Sequence, residues 1–266
     1  MEELVYIDIG NAYLNLSLFD QAKQTWEEFL TKFPKSQYAA SVALHLGSVY
    51  EKEENYLEAE QYYKKIITEY RETLWTKEAI ISLGHLYWRQ GNLEKAEEYF
   101  KKIASTDEPI ALKTKLYLAK VYAQKDDAKA ALKIYDELSN SSSSIAKIAV
   151  LEKAFLLKAG SDYETAVALF KKTIRDGVDS PKIRLNLGVC LEKLNRNDDA
   201  LDEYLALIYS FSDAGYRAKA YFRIARIYEK KKNVEAAKEI YKKIIALNIE
   251  EGKTAQARLQ QLRAKK

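Results

Sequence analysis

Along the chain, apolar side chains recur at helical spacing in stretches separated by short polar breaks, and alternating strand-like runs are hard to find. Residues 83–100, LGHLYWRQGNLEKAEEYF, show the pattern best, placing Gly84, Tyr87, Ala96 and Phe100 at offsets of zero, three, twelve and sixteen. The same quartet of small residue, large side chain, alanine and ring starts at Gly10, Gly47, Ala119, Ala154, Gly188 and Ala225 as well. Successive copies lie 37, 37, 35, 35, 34 and 37 residues apart, and all seven keep the alanine and the final ring. Between the two halves of each copy lies a break such as RQGNLEKA (89–96) or KLNRNDDA (193–200), suited to a short turn.

This spacing predicts helical hairpins, each with a helix A and a helix B. The small residue on helix A lets helix B approach, the alanine twelve later is read as the matching small site, and the rings fill the space beside the contact. One hairpin cannot bury its apolar face alone, so the copies must stack into a solenoid.

The quartets resemble those of the tetratricopeptide repeat (TPR) family from residue 3 to about residue 251. The resemblance implies an all-α fold, an α-α superhelix of seven helix-turn-helix repeats plus a C-terminal capping helix. The repeats fall at approximately 3–36, 40–73, 77–110, 112–145, 147–180, 181–214 and 218–249, with residues 250–266 as the capping helix. The stretch FPKSQYAASVALHLGSVYEKEENYLEA (33–59) is similar to the subgroup common in bacterial cell-envelope proteins, including outer-membrane assembly lipoproteins. The chain starts almost directly on helix A of the first copy. The expectation is that an N-terminal region has been removed or that the first copy packs on something else; a removed signal or lipidation segment suits the envelope resemblance.

In TPR proteins helix A lines a concave groove, and the resemblance carries that role to particular positions here. Asn11, His45, His85, Trp88, Tyr117, Lys120 and Phe155 fall on it in copies one to five, with Glu51 also at a groove position in the second. The rings among them suit an interface anchor or packing against neighbouring helices. Lys182, Asn186, Lys219, Arg223 and Arg226 follow in the last two copies. Asn186, Lys219 and Arg223 match three of the five positions of the family's carboxylate clamp, but Leu151 and Phe155 stand where the clamp has lysine and asparagine. A generic basic patch for an acidic segment fits better than a chaperone-tail receptor.

Charge sharpens this picture. The net charge is +4, yet residues 1–110 hold 12 basic and 19 acidic residues while residues 111–266 hold 31 and 20. The sign changes near the Asp-Glu-Pro at 107–109, and SNSSSSIAK (139–147) reads as a tolerated long turn or a hinge. Enzymatic signals are missing: two histidines, one cysteine and no phosphate-binding glycine pattern argue for no catalysis, no metal and no cofactor. Cys190 reads as a small core residue. No apolar run reaches the ~20 residues of a membrane span, and the chain itself carries no targeting signal, which leaves cytoplasm, or periplasm if a segment was removed. The reading that follows is a non-enzymatic scaffold binding an extended or helical segment of acidic character from another protein. The alternative is RNA binding through the basic C-terminal half, disfavoured because the pI of 8.7 is modest. Self-association of acidic and basic ends is a third.

Overall fold

A computed structural model describes residues 2–70, 74–104, 109–141 and 144–264. Among them lie fifteen helices: α1 (Glu2–Asn15), α2 (Phe19–Lys32), α3 (Ala39–Lys52), α4 (Tyr56–Glu69), α5 (Leu74–Arg89), α6 (Leu93–Ala104), α7 (Pro109–Gln124) and α8 (Ala128–Ser139). They continue with α9 (Ile145–Ala159), α10 (Tyr163–Arg175), α11 (Pro181–Lys193), α12 (Asn197–Ser210), α13 (Ala214–Lys230), α14 (Val234–Ile245) and α15 (Glu251–Ala264). Odd-numbered helices up to α13 are the A helices of the seven hairpins and even-numbered ones are the B helices. The chain forms two compact units, residues 1–134 and 135–266, each a stack of such hairpins. This is the expected all-α repeat solenoid. Of the two joints read from sequence, residues 107–108 and 142–143 lie outside the described residues.

Every hairpin turn is built the same way. The residue seven after each small landmark, namely Ser17, Glu54, Gly91, Asp126, Ser161, Asn195 and Lys232, has a positive φ between 59° and 76°. This left-handed residue reverses the chain within a few positions, and six of the seven copies place a side chain there that tolerates the conformation less well than glycine. The next residue caps helix B in four copies: Asn92, Asp127, Asp162 and Asn233 each accept a hydrogen bond from a backbone N–H three residues on, at 3.0–3.2 Å.

The two helix types differ in burial because they differ in neighbours. The A helices α3, α5, α11 and α13 each pack on their own B helix, on the preceding B helix and on a neighbouring A helix, so apolar residues occupy most of their circumference. B helices such as α2, α6, α10 and α14 keep one wide charged face toward water. The seven alanines of the quartets, from Ala22 to Ala237, are fully buried at the hairpin contacts. Cys190 is buried on α11, as its core reading expects, and burial pushes its thiol up to about 11. At the end of the second unit α15 covers α14 with Gly252, Ala255, Leu259 and Leu262.

Candidate functional site

The ring at the end of each quartet does more than fill space beside a close contact. A β-carbon built on Gly10 would lie 2.1 Å from the Trp26 indole nitrogen; on Gly47, 2.5 Å from the Tyr63 ring. On Gly84 it would lie 2.5 Å from Phe100, and on Gly188 2.4 Å from Tyr204. The glycine therefore exists to seat the ring itself against helix A, a correction to the reading that pairs it with the alanine. Those rings form the floor beneath the predicted groove positions, and that floor decides which groove side chains are free.

In the first unit the floor recruits three of the predicted residues into packing. His45 on α3 stacks on Trp26, ring centroids 5.4 Å apart and planes 20° apart. Tyr117 on α7 lies over Phe100 in the same way, at 5.6 Å and 28°. His85 on α5 meets Tyr117 edge-on at 4.0 Å and Phe100 at 5.3 Å, while Trp88 lies 5.9 Å from His85 and 6.3 Å from Tyr117. The Trp88 indole N–H donates to the Gln124 side-chain oxygen. His85, Trp88 and Tyr117 thus form one half-buried cluster above Phe100. Burial, followed by the charges of Lys113 and Lys120, lowers the His85 imidazole to about 4, so it is neutral at physiological pH. Asn11, on α1, is half-buried and stands apart from this cluster.

In the second unit Phe155 packs edge-on against Phe170 at 5.2 Å, and the Lys182 ammonium lies 4.8 Å from the Phe155 ring centre. The Asn186 amide donates to the Lys182 carbonyl at 2.7 Å. Lys219 lies 5.2 Å from the Tyr216 ring centre, and Arg223 sits 3.8 Å from Glu192. Lys182, Lys219 and Arg226 are exposed. The structure brings Phe155 and Lys182 together between α9 and α11, with Asn186 one turn on from Lys182 in α11, while Lys219, Arg223 and Arg226 share α13.

A set of glutamate–tyrosine pairs within the hairpins is not visible from the sequence. Glu51, Glu192 and Glu229 stand four after their landmarks and accept hydrogen bonds from Tyr63, Tyr204 and Tyr241, the floor rings of the same hairpins. Glu51 also pairs with Arg89 at 3.3 Å and Glu229 with Arg258. Burial and then the Glu229 contacts push the Tyr241 hydroxyl up to about 12. Glu51, expected on the binding face, is thereby committed to holding the hairpin. The legible signal was a Glu twelve residues before a floor Tyr; where the floor ring is Phe100 or Phe170, the position holds Trp88 or Lys158 instead.

Stacked hairpins with an aromatic floor define a helical-repeat scaffold. Sequence models described as tetratricopeptide repeat match residues 5–36, 38–108, 81–145, 151–216 and 218–248. The chain belongs to the tetratricopeptide repeat family. Among solved structures it is similar to a tetratricopeptide repeat protein from Parabacteroides merdae, at 15% identity over 98% of both chains with a TM-score of 0.66. It is also similar to the C-terminal part of a TPR repeat-containing protein from Cytophaga hutchinsonii, at 12% identity over 92% of this chain and 97% of that one, TM-score 0.72. Pseudomonas aeruginosa pilF matches at 21% identity over 79% of this chain and 91% of that one, TM-score 0.60. No curated protein matches the sequence. Family membership supports a protein–protein interaction scaffold with protein partners, on a fold that is generally non-enzymatic. Among the described residues no helix is long and apolar enough to cross a membrane.

Proposed function

We propose that the helix A face binds a segment of another protein, with the ring cluster of His85, Trp88 and Tyr117 as the anchor in the first unit. That cluster carries the reading: three half-buried rings lie side by side, with the Lys113 and Lys120 charges felt at His85. An apolar or aromatic side chain of the partner gains contact area with rings that are already ordered, so little conformational entropy is lost. Lysine charges beside the rings favour a segment with carboxylates next to that anchor. In the second unit Phe155 with Lys182, and Lys219, Arg223 and Arg226 on α13, offer the same combination of ring and cation. The carboxylate clamp is not the reading adopted, because Phe155 is engaged with Lys182 and Phe170. A role in a bacterial envelope assembly is the setting we favour, on the resemblance of residues 33–59.

Selection of random displayed peptides on the full chain tests this. Enriched peptides should combine an aromatic or large apolar residue with Asp or Glu. Trp88→Ala should weaken those that dock on the first unit about tenfold or more, and Phe155→Ala those on the second. Helical content should hold in both variants. Undiminished binding to both would move the site off the helix A face. A collapsed thermal transition would make the mutated ring part of the core.

A further inference from the structure

The first hairpin carries a surface that its sister hairpins do not expose. Five before each landmark the side chain is buried in every later copy: Val42 at 1% exposure, Ala79, Thr114, Ala149 and Ala220 at 0%, Ile183 at 2%. Val5, the same position on α1, is 49% exposed. One before the landmark, Leu46, Leu83 and Leu187 are at 0%, whereas Ile9 is 43% exposed. Ala12 is exposed where Val49, Leu86, Val121, Cys190 and Ile227 are buried. The opposite side of α1 is engaged as in other A helices: Gly10 seats Trp26 and Tyr6 packs against Phe29 and Phe33. The exposed side of α1 is therefore the side that, in the later hairpins, lies under the preceding B helix.

A hydroxyl gives the chemistry of what fits there. Tyr50, Tyr87 and Tyr122, three after their landmarks, donate to Glu27, Glu60 and Glu97 on the preceding B helix at 2.8, 2.7 and 3.2 Å. Lys64 and Lys101, one turn on, pair with the last two carboxylates at 2.5 Å. Tyr13 is the equivalent residue of α1, and its hydroxyl has no hydrogen-bond partner among the described residues.

We propose that the Val5–Ile9–Ala12 face of α1, with the Tyr13 hydroxyl, docks an amphipathic helix of another protein that presents an apolar ridge flanked by a glutamate. A second copy of this chain does not supply that helix. The B helices α2, α4, α6, α10 and α12 are already covered by the next A helix, and α14 by α15. The outward side of α15 shows Lys253, Gln256, Gln260 and Arg263. Pairing α1 with its own copy would oppose Glu2, Glu3 and Asp8 in a helix that holds no basic residue.

The test uses the full chain and, as probe, a fluorescent peptide of residues 55–70, a B helix carrying Glu60. Saturable binding is expected, weakened at least tenfold by Val5→Lys with Ile9→Lys, and severalfold by Tyr13→Phe or by Glu60→Gln in the peptide. Trp88→Ala should leave it unchanged, which separates this face from the groove. Circular dichroism melts should confirm that the exposed lysine substitutions leave the fold intact. Absence of saturation up to millimolar peptide, or equal affinity in the double variant, would overturn the proposal. A dimer in sedimentation that the double variant abolishes would also overturn it, by assigning the face to a second copy.

Discussion

A single missing methyl group sets the geometry of four of the hairpins. Because a β-carbon at Gly84 would meet the Phe100 ring at 2.5 Å, Gly84→Ala should cost about 2 kcal/mol in urea denaturation. Ala96→Leu, which overfills a fully buried contact, should cost about as much or more. An unchanged midpoint for either would contradict the packing. Backbone conformation gives the opposite sign: Glu54 sits at φ 61°, so Glu54→Gly should stabilise by about 0.5–1 kcal/mol despite glycine's greater freedom when unfolded. Titration offers a third check. The His85 imidazole protonates near 4 in the folded chain and near 6.5 when unfolded, and burial shifts His45 in the same direction. Between those values the unfolded chain binds protons that the folded chain does not. Stability should therefore be full above pH 6.5 and fall as pH drops toward 4, by about 1–2 kcal/mol for a half-exposed imidazole. His85→Gln should flatten part of that slope in denaturant midpoints measured between pH 7 and 4.5.

At the scale of the helix, existence and pairing were legible because each landmark recurs seven times at fixed offsets, and repetition outweighs local ambiguity. The division of helix A residues between groove and core was less so. The family resemblance puts His45 and Tyr117 on the binding face, and both also lie on floor rings, Trp26 and Phe100, that belong to the preceding hairpin. That contact joins residues 17 or 19 positions apart, beyond any periodicity within one helix. The Glu–Tyr pairs were hidden for a related reason. Glu51 stands among Lys52, Glu53 and Glu54, where a solvated charged face is the ordinary reading. Its bond to Tyr63 depends on how the hairpin closes. Glu192→Gln should consequently lower stability by about 1 kcal/mol, measurable in denaturant, since it weakens the acceptor for a buried tyrosine hydroxyl. No change would mean that the pair is incidental.

For the whole molecule, charge and structure divide the chain differently. Charge reverses near residue 110, but the two compact units meet at residue 134, within α8. Contacts, not charge, set that division, because side-chain charge on solvated faces contributes little to packing. The uneven charge bears instead on encounter: the second unit and α7 carry the lysines and arginines that favour an acidic partner. Affinity capture from the source cells, with the wild-type chain beside Trp88→Ala and Arg223→Glu variants, tests the binding face most directly. The expected result is a protein recovered by the wild type and lost or strongly reduced with one or both variants. Equal recovery by all three would contradict it and place the binding surface away from the helix A face.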